Sequence, residues 1–340
     1  MAKKNNGPRI LSIDLGYSAV KLCYRNREGL YQFEKYISCL ARVPNVLQAD
    51  DDTLFKLGLD YYILSEEALK TNREYLINLE DWQGLYESYP VWISYLLKKF
   101  KDRGYEFDKI ALGLSLAFSD KADELLAHLY ESLMIDPNTK MFAVFPQGMS
   151  AAITYKTCGV NIREKNSDYK ARNYLIVDGG FLTLDIANIV NSTASPASCL
   201  GKEGTGTIVI AQELQDYIYK TYELRKSIKE CQKALEVGYL IHRGREIDLE
   251  EKINEYSKKY LANVLNFIEE KFSTAIDNLE AILVVGGVSY FFKKYLNDPD
   301  VIKEIEKHFP VSFLKIAEDG EYYNAFSYLL LTEKLLGIQN

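Results

Sequence analysis

Two stretches far apart in the chain share one pattern of apolar and polar positions. Residues 11–22 and 175–186 each run as an apolar strand that ends on an aspartate, Asp14 or Asp178. A glycine follows two residues later, Gly16 or Gly180, then an aromatic, Tyr17 or Phe181, and then a second apolar strand. Each stretch predicts a β-hairpin, because an Asp-x-Gly break between apolar runs is turn chemistry. Taken singly, either is an ordinary turn. Aligned position by position, the pair predicts an internal duplication.

The pattern around them alternates between strand and helix. Residues 31–37, 54–57, 108–115 and 141–145 read as strands, and 281–288 as a buried strand that runs into Gly286-Gly287 with helical residues 291–296 behind it. Residues 65–70 open as a short helix with acidic residues in its first turn, and 89–103, 120–133, 149–155, 206–219, 224–236 and 249–272 read as helices. Such alternation predicts mixed sheets flanked by helices, an α/β class. The charged stretch 161–172 breaks the pattern and marks a surface loop and the linkage between domains.

At 340 residues the chain is long enough for two cores. Its composition, 47% hydrophobic and 26% charged, is that of a globular protein rather than a disordered one. The 26 tyrosines suit interfaces as well as strands. A net charge of −7 argues against direct nucleic-acid binding, since such a surface repels phosphate backbones. Cys23, Cys39, Cys158, Cys199 and Cys231 show neither paired nor metal-ligand spacing and read as reduced thiols. No apolar run reaches the roughly 20 residues that a membrane span needs, and the polar lead, residues 1–8, has no signal-peptide core, so the expected location is cytoplasmic with no membrane partner.

The candidate chemistry lies in the turns. Two facing carboxylates, Asp14 and Asp178, suit a polyphosphate whose Mg²⁺ they hold largely through water, because Mg²⁺ takes octahedral oxygen ligands and keeps several waters. Gly16, Gly179 and Gly180 leave out the Cβ that would block backbone approach to phosphate oxygens. Lys21 has the reach to neutralise a β-phosphate, although spacing alone equally describes a solvated strand-end lysine. Thr183 offers a hydroxyl on the γ-phosphate side, or is simply a β-branched strand residue. Gln147, between a strand and a helix, is placed to orient an attacking water, and alone reads more readily as a polar residue at a helix entry. A Walker-type phosphate loop is absent, since Gly201-Lys202 runs into Glu203, and Gly204-Thr205-Gly206 lacks the third glycine of a dinucleotide fingerprint. His128, His242 and His308 stand apart from one another and form no triad or metal set.

With those residues in view, the chain resembles the actin and sugar-kinase superfamily, and within it the actin-like proteins of the ParM/StbA type that segregate plasmids. Residues 13–16 with Lys21 look like the first phosphate loop, which includes Tyr17 and Ser18, and residues 177–186 look like the second. Val284-Val285-Gly286-Gly287 is similar to the adenosine motif, with Val288 where a third glycine usually stands. Pro146-Gln147 falls where the first connecting segment carries its hydrolytic side chain. Phe181 departs from a usual glycine and narrows the approach to the γ-phosphate. The ParM-type resemblance rests on Trp82 ahead of the helix at 89–100, the 112–116 strand, the 200–206 stretch and Tyr323-Asn324-Ala325.

The resemblance implies two duplicated actin-like, ribonuclease H-like domains, residues 1–150 plus 322–340 and residues 151–321, with the nucleotide in the interdomain cleft. Gln147, Asp14 and Asp178 are then the catalytic set. Lys202, Glu203 and Gly204 lie near the adenosine. The implied cofactors are ATP, with GTP as the alternative nucleotide, and Mg²⁺. The implied partners are further copies of the chain in a filament and a DNA-binding adaptor of the ParR type. Two other readings stay open: a small-molecule kinase of the same superfamily acting on sugars or acetate, and a cytoskeletal scaffold with little turnover. A cell-shape protein with an amphipathic N-terminal anchor does not fit, because residues 1–8 are too polar.

Overall fold

The computed structural model describes residues 8–44, 53–79, 81–137, 140–164 and 171–338. Residues 1–7 of the polar lead and residues 165–170 of the charged stretch lie outside the described residues. The chain divides into two compact units, Met1–Thr154 with Tyr322–Asn340, and Tyr155–Glu321. The division at 154/155 comes ahead of the charged stretch that the sequence suggested for the linkage, inside a helix, Ala151–Cys158.

The first unit opens with strands β1 (Ile10–Leu15), β2 (Ala19–Arg25) and β3 (Tyr31–Ile37). After them come β4 (Leu40–Val43), β5 (Phe55–Leu57) and β6 (Asp60–Leu64), then helix α1 (Trp82–Asp102). Strand β7 (Lys109–Leu114), helix α2 (Ala122–Leu133), strand β8 (Met141–Pro146) and helix α3 (Ala151–Cys158) complete the first run. The main sheet has the order β3-β2-β1-β7-β8, antiparallel on the hairpin side and parallel from β1 onward. Every residue of β1 is buried, as expected of a strand covered on both faces. A second sheet, β4-β6-β5, carries its own small apolar cluster around Cys39, Ala41, Val43 and Ala68.

Helix α1 starts seven residues before the sequence pattern suggested. Asp81 caps it, accepting the Gly84 N–H at 2.8 Å and satisfying an otherwise orphaned donor. Leu85, Tyr89, Trp92, Leu96 and Phe100 then recur at helical spacing as one buried stripe through Pro90. Full burial of each such side chain contributes on the order of 2 kcal/mol. The short helix read at 65–70 shrinks to one turn, Ala68–Lys70, because Ser65 adopts a left-handed φ of 61° that no right-handed helix accepts.

The C-terminal helix, Tyr323–Leu335, packs on the sheet of the first unit. Ser12 donates to the Ala325 carbonyl at 2.5 Å, and buried Glu333 receives Arg25 at 2.5 and 3.1 Å. Thr154 and Ser327 share a hydroxyl pair at 2.8 Å.

The second unit repeats the scheme. It runs β9 (Tyr174–Gly179), β10 (Thr183–Val190), β11 (Thr193–Glu203), α4 (Ile208–Tyr222), α5 (Ile228–Val237), β12 (Tyr239–His242) and β13 (Arg245–Asp248). Then come α6 (Glu250–Ile276), β14 (Ala281–Gly286), α7 (Val288–Tyr295), α8 (Pro299–Glu306) and β15 (Leu314–Ile316). Its sheet order, β11-β10-β9-β14-β15, with an antiparallel hairpin side and a parallel side, matches that of the first unit strand for strand. Val177, Leu184, Ile186, Val264, Ile268 and Val284 are among the core residues between this sheet and its helices. Among the described residues no helix is long and apolar enough to cross a membrane.

Candidate functional site

In parallel-strand sheets, ligand sites form where the carboxyl ends of adjacent strands meet. In the first unit, Asp14 is the penultimate residue of β1, Gly113 and Leu114 end β7, and Gln147 follows β8 directly. The structure gathers Asp14, Lys21 and Gln147. Asp14 pairs with Lys21 across the hairpin, so both side chains lie on one face, and Lys21 Nζ sits 3.3 Å from Asp14 Oδ2. Gln147 Nε2 donates to the other carboxylate oxygen, Oδ1, at 2.9 Å. Gln147 is itself fixed by its own N–H, which donates to the Leu114 carbonyl at 2.7 Å. Asp14 is only 3% exposed, and a cation and an amide engage its two oxygens, the partners that a buried carboxyl group needs. Tyr17 is buried beside this turn, and the Ser18 carbonyl accepts the Ser38 N–H at 3.0 Å.

In the second unit, Asp178 and Gly179 end β9 and Gly286 ends β14, with Val285 in register with Asp178 and Gly286 with Gly179. Asp178 is 3% exposed, and Thr183 is buried at the start of β10. Gly286 adopts φ +71°, and a Cβ there would fall 2.4 Å from Asp178 Oδ1, so the glycine of the predicted adenosine motif is the one that admits this carboxylate. A Cβ at Gly179 would meet Val288 Cβ at 2.5 Å, which makes Gly179 the counterpart of the valine that stands in for a third glycine. Phe181 is buried, its carbonyl accepts the Ile208 N–H at 2.7 Å, and the Gly180 carbonyl accepts the Thr207 N–H at 3.0 Å. The second turn thereby starts α4.

Two details change how the turns would meet a ligand. The Gly16 N–H donates to the Ala19 carbonyl at 3.1 Å and the Gly180 N–H to the Thr183 carbonyl at 2.9 Å, so both close their own turns. Lys202 and Glu203 sit exposed at the end of β11, with Lys202 Nζ 5.2 Å from the Phe267 ring on α6, and Gly204 is a left-handed turn residue at φ +72°. The lysine drawn to the second turn is Lys229, whose Nζ lies 5.8 Å from the Phe181 ring. Sequence reasoning passed over it, although Ser227 and Glu230 form a capping box that marks the helix start carrying it. Asp185 was passed over as well: it is 1% exposed and directly opposite Asp178 in β10.

The donor set suits a water-held magnesium nucleotide. Among the described residues no cluster of three or more His, Cys, Asp or Glu side chains is positioned to bind a metal directly. The Asp14 carboxylate beside a lysine and an amide fits an ion that keeps its waters and takes phosphate oxygens.

Two five-stranded sheets of identical order and sense, each with an aspartate-bearing hairpin at its centre, define the actin-like fold. Residues 176–298, within the second unit, match the family described as archaeal actin homologue MreB-like, C-terminal. No curated protein matches the chain in sequence. Among solved structures, a non-polymerisable quadruple mutant of pCBH ParM superposes with a TM-score of 0.73 at 16% identity, covering 96% of this chain and 100% of that one. Ta0583, an archaeal actin homolog in complex with ADP, gives 0.70 at 16% identity over 96% and 99% of the two chains. A 15-stranded ParM filament from Clostridium botulinum gives 0.70 at 16% identity over the same shares.

Proposed function

We propose that this chain binds and hydrolyses ATP and assembles with further copies of itself into nucleotide-dependent filaments. The observation that carries the reading is the Asp14 carboxylate held between Lys21 and Gln147 at the carboxyl ends of β1 and β8. The placement of Asp178 at the same point of a duplicated sheet supports it. The structural likeness to an ADP-bound actin homolog and to a ParM filament supports it further.

In this reading both hairpins are phosphate-binding turns. Lys21 neutralises charge on the β-phosphate, Thr183 faces the γ-phosphate, and Gln147 orients the attacking water. When bound, Mg²⁺ would supply charge neutralisation for the phosphates, and Asp14 and Asp178 are the carboxylates that would hold it through water. Lys229 joins Gly286 and Gly287 as a candidate contact beyond the phosphates, and Lys202 is the weaker candidate because its ammonium lies on Phe267. The fuller role is a cytoplasmic segregation filament of the ParM type, linked to plasmid DNA by a ParR-type adaptor.

Light scattering on addition of Mg-ATP tests assembly: a rise that decays as ATP is consumed supports it, and a flat trace up to high protein concentration removes it. Asp178→Ala is expected to abolish ATP-dependent assembly. Gln147→Ala is expected to assemble while releasing phosphate at least tenfold more slowly; wild-type turnover in that variant would remove Gln147 from the catalytic set.

A further inference from the structure

Tyr89 belongs to α1, far in sequence from either hairpin, and is 1% exposed. Buried phenols generally find an acceptor, and many reach whatever carbonyl is nearest. This one donates to the Gly113 carbonyl at 3.1 Å. Gly113 lies one residue beyond the Ile13↔Leu112 pair of β1 and β7, which puts it beside Asp14 in the sheet. The next carbonyl along β7, that of Leu114, accepts the Gln147 N–H. Consecutive carbonyls of one strand end therefore take Tyr89 and Gln147.

The other side of that strand end is equally fixed. A Cβ on Gly113 would fall 2.0 Å from Tyr328 Cζ and hydroxyl, so the glycine exists to admit the Tyr328 ring. Phe145 of β8, in register with Gly113, stacks on Tyr328 with centroids 6.0 Å apart. The strand end is clamped between a helix-borne hydroxyl and a helix-borne ring. Burial first, then the charge of Asp14 and the neighbouring Tyr17, pushes the Tyr89 phenol well above the ordinary tyrosine range, so it stays a donor at every working pH.

We infer that Tyr89 is a positioning residue for the hydrolytic site, setting the Asp14–Gln147 geometry through the Gly113 and Leu114 carbonyls at the end of β7. The inference rests on the proposed ATPase reading. It assigns to α1 the task of holding the platform on which Gln147 stands, where a small displacement of a water-orienting amide is costly in rate.

Tyr89→Phe keeps the ring and removes only the hydroxyl. We expect Mg-ATP turnover to fall roughly tenfold with the KM for ATP within about twofold, and a melting temperature within a few degrees of the parent. A cycle with Gln147→Ala separates positioning from general loosening. If Tyr89 acts through Gln147, the double variant turns over no more slowly than Gln147→Ala alone. Multiplicative losses, or a Tyr89→Phe protein with parental kcat, overturn the inference while leaving the ATPase reading intact. A parent protein that neither binds nor hydrolyses Mg-ATP overturns both, and titration of Mg-ADP against the unmodified protein shows which case applies.

Discussion

The two hairpins share a backbone but differ in what stands opposite the aspartate. In the first unit Asp14 faces Lys21, and in the second Asp178 faces Asp185 at the same ladder position. Directly opposed side chains in an antiparallel pair lie within about 5 Å at Cβ, so the first hairpin sets a lysine against its carboxylate while the second sets two buried carboxyl groups side by side. A second contrast lies one residue on. Leu15, buried in β1, aligns with Gly179 in β9, where Val288 of α7 occupies the space a side chain would take. The two copies share the turn and the sheet and differ in the group opposite the aspartate and in which element fills the neighbouring volume. Substitutions at matching positions should therefore have unlike consequences.

The largest expected effect is at Lys21. With both side chains mostly buried, Lys21→Met leaves Asp14 with the Gln147 amide as its remaining described partner, and uncompensated buried charge costs about 3 kcal/mol. A lower denaturant midpoint with an unchanged slope is the expected result. Adding Asp14→Asn should recover most of the loss, since no charge then remains to be paired. A Lys21→Met protein as stable as the parent would show that the first hairpin does not depend on its internal pair.

Next comes the packing contrast. Gly179→Ala drives a Cβ into Val288 and should cost about 2 kcal/mol through overpacking, visible as a lower melting temperature. Combining it with Val288→Ala should return more than half. Gly16→Ala is the control in the other unit: its Cβ would meet the Ala19 carbonyl oxygen at 3.1 Å and the movable Lys21 Nζ at 3.2 Å, so its loss should be the smaller. Equal losses at Gly16 and Gly179 would erase the proposed difference between the copies.

These contrasts mark what the sequence disclosed and where it stopped. The duplication was legible because both central hairpins carry unbroken apolar runs around an Asp-x-Gly turn, and β14 was legible for the same reason. Strand β11, Thr193–Glu203, was not: its serines and Pro196 show no alternation, and it is paired by β10 rather than by its own pattern. The start of α1 was hidden because the decisive signal is the Asp81 cap rather than an apolar period. At the site, Asp14 stood out by its place in the repeated hairpin, whereas spacing left Lys21 and Gln147 ambiguous and it is the fold that brings them to the Asp14 carboxylate. Tyr89 could not be named at all, since its role depends on β7 lying beside β1, a neighbourhood created by parallel pairing between residues about a hundred positions apart.

A smaller effect of opposite sign is expected at Asp185. Because two buried carboxyl groups directly opposed disfavour each other's ionisation, Asp185→Asn should relieve that cost and stabilise the protein by up to about 1 kcal/mol in the absence of nucleotide. Calorimetry of the two proteins without nucleotide reads this directly. Loss of stability would mean that Asp185 makes compensating hydrogen bonds worth more than the repulsion, and the charge contrast between the hairpins would then lose its energetic meaning.

The smallest effect compares two glutamates whose carboxyls are shifted the same way by different means. Burial alone would raise Glu34, but hydrogen bonds from Arg103, Tyr36 and Tyr24 outweigh it and hold its carboxyl below the ordinary 4.5. Glu230 is likewise pushed up by burial and brought down further by the Ser227 N–H, the Ser227 hydroxyl and Lys226, in the capping box of α5. A depressed folded-state value means that each contribution is present above pH 4.5 and lost as the pH falls through the folded value. Glu34→Gln should therefore cost no more than about 1 kcal/mol near neutrality, because Arg103 is partly exposed, and progressively less below pH 4.5. Tyr24, pushed up to about 12 chiefly by burial and then by Glu34, adds a mirror-image limb, with stability present below pH 10 and lost as the pH rises toward 12. Glu230→Gln should reproduce the acid limb and leave the Tyr24 limb in place, since its described partners are Ser227 and Lys226 rather than Tyr24. An alkaline limb of equal size in both variants would show that Tyr24 is not coupled to Glu34.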